Sequence, residues 1–131
     1  MIIVGGGRPN DVQSLLKVAE SYTVTLVIKS RISDIELWRL YSESKVYVNT
    51  AIGEPFGMTS LEAVCSGLNL VTIKECGTLE LKPCFPKNVI SCKNTIEDIS
   101  KGITIALAKK NVKPYIPYIF QWKQIAKEIL K

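Results

Sequence analysis

The chain has 131 residues, 47% of them hydrophobic and 22% charged, enough to bury the core of one domain without disulfide or metal staples and too apolar for a disordered chain. Its net charge of +5, from 17 Lys and Arg against 12 Asp and Glu, suits an anionic ligand, a nucleic acid or an acidic membrane face, yet no motif for specific nucleic-acid recognition is present. With no histidine, the commonest general base near neutral pH is missing, which excludes Ser–His and Cys–His catalysis within this chain.

The elements follow in chain order. Ile2-Ile3-Val4 reads as a first strand, and Gly5-Gly6-Gly7 as either a phosphate-approaching loop or simply a tight turn into a helix. That helix runs from about Asp11 to Glu20, with Val12, Leu15, Leu16 and Ala19 on one face. Thr23 to Ile28 is β-branched and predicts a second strand. Ser33-Asp34-Ile35-Glu36 has capping-box spacing and opens a helix whose apolar face is Leu37, Trp38, Leu40 and Tyr41. Lys45 to Val48 is a third strand, and Asn49 to Met58 a loop containing Gly and Pro. A short helix from Thr59 to Ser66 stops at Gly67, placed as a left-handed cap. Leu70 to Ile73 is a fourth strand, Cys76 to Asn88 is rich in turns, and Val89 to Ser91 is a fifth strand. A helix from Thr95 to about Lys109, a linker marked by Pro114 and Pro117, and a last helix from about Gln121 to Leu130 complete the chain. Trp38 and Trp122 read as packing residues.

Strands alternating with helices predict an α/β fold, with a parallel sheet, right-handed crossovers and helices on both faces. Such sheets bind ligands beyond the C-terminal strand ends, which directs attention to the loops after Val4, Ile28, Val48 and Ile73. The lysines beyond residue 100 are spread along the terminal helical segments and read as a solvated face. Cys65, Cys76, Cys84 and Cys92 form no close-spaced pair, which argues against zinc and for reduced thiols, a Cys76–Cys84 disulfide being expected only in a hyperthermophile. No apolar run approaches the roughly 20 residues of a membrane span, and the start lacks the basic flank of a secretory signal. A cytoplasmic location is expected, with peripheral contact to an acidic membrane left open.

The loop after the third strand carries the chemistry. From Val46 to Gly67 a strand leads through a Gly-containing loop into a helix N-terminus, whose unpaired N–H groups and positive dipole end favour a phosphate. Gly57 lets the backbone approach a ligand, while Glu54 before the turn and Glu62 about one turn into the helix suit sugar hydroxyls better than phosphate oxygens. Two plainer readings stand beside these: Thr59-x-x-Glu62 is itself a capping box, and Glu54 alone could be a solvated loop residue.

The run Glu54-Pro55-Phe56-Gly57-Met58-Thr59-Ser60-Leu61-Glu62-Ala63 resembles the E-x-F-G-x-x-x-x-E-A motif of glycosyltransferase family 4, the glycosyl transferases group 1, and its GT-B relatives. Arg31 to Leu37 is similar to the family's turn G-x-V-S-x-x-E-L, with Ser30 in place of its glycine. Ser66-Gly67-Leu68-Asn69-Leu70-Val71 resembles S-G-L-P-V-V, with Asn69 for proline; Cys76-Gly77-Thr78-Leu79-Glu80 resembles G-G-x-x-E; Phe120-Gln121-Trp122 resembles F-S-W. The resemblance implies that residues 1–131 are the nucleotide-sugar-binding, C-terminal half of a retaining GT-B glycosyltransferase. It implies a single Rossmann-like three-layer domain with a five-stranded parallel sheet in the order 2-1-3-4-5. Glu54 would be the catalytic residue and hold donor-sugar hydroxyls, and backbone N–H groups around Phe56, Gly57, Met58 and Thr59 would meet sugar and diphosphate. Glu62 would accept from the ribose, and the base would stack near Arg31 and Ile32. The family transfers a hexose from a nucleotide diphosphate sugar, with no essential metal and no further cofactor.

Where the sequence departs from the family, the implication weakens. The Arg and Lys that grip the diphosphate have no clear equivalent: Gly6 and Asp11 stand in one alignment where the cations belong, and Arg8 is the nearest substitute. The acceptor-binding N-terminal domain is absent from these residues and would come from a second domain or subunit. Two other readings remain: a degenerate binding or regulatory module that keeps the fold without the chemistry, and a flavodoxin-like protein for another nucleotide.

Overall fold

The computed structural model describes residues 1–121 and Lys127. The expected last helix from Gln121 to Leu130, with Trp122, falls outside them apart from Gln121 and Lys127. The chain forms two compact units, Met1–Trp38 and Arg39–Lys131.

In the first unit, β1 (Ile2–Val4) runs parallel to β2 (Val27–Lys29), with Ile3 opposite Ile28. Between them lies α1 (Pro9–Ser21), opened by a proline whose fixed φ suits the first helical position. β2 begins later than β-propensity predicts. Thr23 takes a left-handed φ of 53°, and the Val24 N–H returns to the Ala19 carbonyl at 2.8 Å, so these residues close α1 instead of extending the strand. Local propensity gives way because the open helix carbonyls need donors. α2 (Asp34–Glu43) begins with half of the expected capping box: the Ser33 hydroxyl accepts from the Glu36 N–H at 3.2 Å. The Glu36 carboxylate goes to Lys29 Nζ at 2.5 Å, not back to Ser33.

The second unit starts within α2. Its strands β3 (Val46–Asn49), β4 (Asn69–Ile73) and β5 (Val89–Cys92) form a parallel ladder in the order 3-4-5. Every residue of β4 is buried, as a central strand covered on both faces requires. The alternating side chains of β4 sort the core into two layers. Leu70 joins Val64, Leu81, Phe85 and Val89 under α3 (Met58–Cys65) and a 3-10 turn, Gly77–Leu81. Val71 joins Cys92 and Ala106 under α4 (Ile96–Ala108). α3 ends at Gly67 with φ 95°, as its position implied.

The predicted α/β class with parallel strands and interleaved helices is present. The strands form a two-stranded ladder, β1-β2, and a three-stranded one, β3-β4-β5; no ladder among the described residues joins β1 to β3 into one five-stranded sheet. Asn69 stands at the position of the family's proline and has two bonds that account for it. Its N–H donates to the Lys45 carbonyl at 3.2 Å, which a proline could not do, and its buried amide donates to the Ala106 carbonyl at 3.2 Å near the end of α4.

Candidate functional site

β3 ends at Asn49, whose side chain ties both ends of the following loop. Its Oδ1 accepts from the Ala51 N–H at 3.0 Å and its Nδ2 donates to Ser60 Oγ at 3.0 Å. The loop is then bolted to the chain after β4: the Gly77 N–H donates to the Glu54 carbonyl at 2.8 Å, and the Gly53 N–H to the Glu75 carbonyl at 3.3 Å. A Cβ on Gly77 would fall 1.9 Å from the Pro55 carbonyl oxygen, so only glycine permits this approach. The Thr72 and Thr78 hydroxyls bond to each other in the buried support behind it.

Glu54 is half-buried, with its backbone fixed and its carboxylate making no bond among the described residues. The Phe56 ring points into the core, 6.1 Å from Phe120 between centroids, so this residue anchors the loop and leaves only its backbone for a ligand. Gly57 is buried at φ 79° and is the N-cap of α3; a Cβ there would meet Thr78 Cγ2 at 2.3 Å. Its carbonyl receives the N–H groups of Ser60 and Leu61, at 2.9 and 3.1 Å. The N–H groups of Met58 and Thr59, one and two residues beyond the cap, have no partner among the described residues, and both residues are exposed. With no side chain capping it, this helix start offers two donors and a positive dipole end to an anion.

The plainer capping-box reading of Thr59 and Glu62 does not describe this helix. Thr59 Oγ1 accepts from the Tyr47 hydroxyl at 2.8 Å, and Glu62 Oε2 accepts from the Tyr41 hydroxyl at 3.2 Å, with the Thr59 carbonyl 3.4 Å from the same hydroxyl. Since Tyr47 donates, the Thr59 hydrogen is left to donate outward. Burial, and then the negative charge of Glu62, hold the Tyr41 phenol well above its ordinary range, so it remains a donor at any physiological pH.

Glu54, Phe56, Gly57, Met58, Thr59 and Glu62 therefore stand on one loop and helix start of the second unit. Arg31 and Ile32 belong to the first unit, in the loop after β2; Arg31 is exposed with φ 54°, and Ile32 is half-buried. Arg8, the nearest substitute for the family's diphosphate-gripping cations, is paired with Asp11 at 2.9 Å. Glu80 is exposed on the 3-10 turn. A groove of about 270 Å³ lined by Lys74, Lys93, Asp98 and Lys101 lies at the ends of β4 and β5 and includes neither glutamate.

Sequence reasoning missed Tyr41, Tyr47, Asn49 and Ser60 as parts of this site. Asn49 gave a signal, an Asx residue at a strand end. The tyrosines gave none, because helical and strand periodicity marks them simply as core.

This loop is held by backbone bonds before an uncapped helix start on a parallel ladder. The chain belongs to the family of glycosyl transferases group 1, whose model matches residues 1–118. Among curated proteins it is 27% identical over 115 residues to probable sucrose-phosphate synthase 2 of Craterostigma plantagineum, covering 83% of this chain and 11% of that protein. It is 30% identical over 105 residues to sucrose-phosphate synthase 1 of Arabidopsis thaliana, covering 76% of this chain and 10% of that one. The chain thus spans about a tenth of the length of these relatives. In fold it is similar to the crystal structure of WaaG, a glycosyltransferase involved in lipopolysaccharide biosynthesis, with a TM-score of 0.66 and 21% identity over 82% of this chain and 29% of that one. Among the described residues no helix is long and apolar enough to cross a membrane.

Proposed function

We propose that residues 1–131 form the donor-binding domain of a retaining family 4 glycosyltransferase, which takes a hexose from a nucleotide diphosphate sugar. The observation that carries this reading is the pair Glu54 and Glu62 on either side of an uncapped helix start whose Met58 and Thr59 N–H groups are unused. Glu54 holds hydroxyls of the donor sugar beside the reacting carbon, and Glu62 accepts from the ribose. The free N–H groups and the dipole of α3 take the diphosphate.

In the transfer, the bond from the anomeric carbon to the diphosphate breaks, the acceptor oxygen replaces it on the same face, and the acceptor's proton leaves with the diphosphate. Negative charge grows on the departing group, so fixed donors at Met58 and Thr59 act more strongly in the transition state than in the ground state. The acceptor side comes from a second domain or subunit, in keeping with the far greater length of the curated relatives.

One observation favours a second reading, a binding module without transfer: Arg8 is engaged by Asp11 instead of standing free for a diphosphate. Calorimetry with uridine, guanosine and adenosine diphosphate hexoses tests the main reading. Binding is expected for one of them, lost in Glu62→Ala. No binding of any at millimolar concentration would end it. Binding without transfer, even with the second domain present, would leave the module.

A further inference from the structure

The first turn of α3 is gripped by two tyrosines. Tyr47, from β3, donates to Thr59 Oγ1, and Tyr41, from α2, donates to Glu62 Oε2. Their rings lie 6.3 Å apart between centroids, so they form one buttress beside the helix. Tyr41 is buried, at 6% exposure, while Glu62 is half-exposed. A glutamate one turn into a helix has three rotatable side-chain bonds and would sample several positions in solvent. Here one carboxylate oxygen is held by a phenol fixed in the core, which leaves Oε1 and the remaining lone pairs of Oε2 as acceptors. Two neighbouring hydroxyls such as those of a ribose need acceptors in a defined place, and that is what the buried phenol provides.

We propose that Tyr41 is a positioning residue for ribose recognition: its hydroxyl orients the Glu62 carboxylate, and so sets how strongly the protein prefers a ribonucleotide to a deoxyribonucleotide. This rests on the reading of Glu62 as the ribose acceptor. Tyr41 touches no ligand itself. A purely structural role would weaken all nucleotides alike, whereas a positioning role weakens only those that carry the ribose hydroxyls.

The test measures calorimetric affinity for a nucleoside diphosphate and for its 2′-deoxy and 3′-deoxy forms in the wild-type chain, Tyr41→Phe and Glu62→Ala. The base is the one preferred in the nucleotide-sugar titrations. The wild type is expected to favour the ribonucleotide about tenfold or more, the range of a hydrogen bond to a charged group. Glu62→Ala abolishes the preference. Tyr41→Phe, which removes one oxygen and keeps the ring, reduces it severalfold, lowering affinity for the ribonucleotide more than for either deoxy form. If Glu62→Ala abolishes the preference and Tyr41→Phe keeps it whole, Tyr41 has no such role. If Glu62→Ala itself leaves the preference intact, the ribose reading of Glu62 fails and the inference with it. Glu62→Asp probes the pair with the buried ring untouched, since it draws the carboxylate one methylene back from the phenol. Full preference in that variant would also overturn the inference.

Discussion

Glu54 owes its position to a residue more than twenty places along the chain. Its carbonyl is held by the Gly77 N–H, and a Cβ on Gly77 would sit 1.9 Å from Pro55 O and 2.7 Å from Glu54 O. Backbone atoms cannot swing aside as a side-chain end can, so Gly77→Ala must displace the Glu54 loop. The expected cost is about 1–3 kcal/mol of stability, read from the denaturant midpoint. On the proposed reading affinity should divide as well: nucleotide-sugar binding falls about tenfold, while a nucleoside diphosphate, which has no donor hexose for Glu54, loses much less. Equal loss for both ligands would separate Gly77 from Glu54. None of this contact was legible in the sequence, where Gly77 appeared as a turn residue and as a match to a family landmark. Gly57, by contrast, was singled out for close backbone approach, and its φ of 79° gives it an independent reason to be glycine.

At the level of elements, the helix starts divide by what their caps do. α4 closes its own N-terminus: Thr95 Oγ1 accepts from the Asp98 N–H at 3.2 Å, with Glu97 and Asp98 complementing the dipole. α2 is closed by Ser33. α3 begins at Gly57 with no capping side chain, and its donors remain open. On the proposed reading, stability and binding draw on different helices. Thr95→Ala should lower stability by about 1 kcal/mol in chemical denaturation and leave nucleotide affinity unchanged. A matching loss of affinity would mean that α4 contributes to the site. Ser33 was legible as a cap because a cap is a local arrangement of a few residues, whereas Thr95 was read only as the start of its helix. Thr59-x-x-Glu62 has the same local pattern and misleads, since Tyr41 and Tyr47, from α2 and β3, supply hydrogen bonds that the pattern does not contain.

For the molecule as a whole, the buried and half-buried acids predict how stability responds to pH. Burial raises the Cys65 and Cys92 thiols above their ordinary value of about 9, with the charge of Asp98 adding to the effect at Cys92, and Tyr41 is raised as well. A raised folded value means that the unfolded chain ionises first. These groups contribute their full stability below about pH 9, and it is lost as pH climbs through the folded values. The denaturant midpoint should hold between about pH 7 and 8 and fall above about pH 9. A midpoint unchanged to about pH 10.5 would contradict this burial. The sequence alone determined the α/β class, most element positions and the loop and helix start that carry Glu54 and Glu62, because hydrophobic period, caps and turn residues act over a few neighbours. Only the tertiary structure decided that β2 starts late, that the strands pair as two ladders, and that the Glu62 carboxylate is held by Tyr41. Each of these depends on where distant donors and acceptors meet, and a buried or helix-end polar group takes whichever partner the folded chain brings to it.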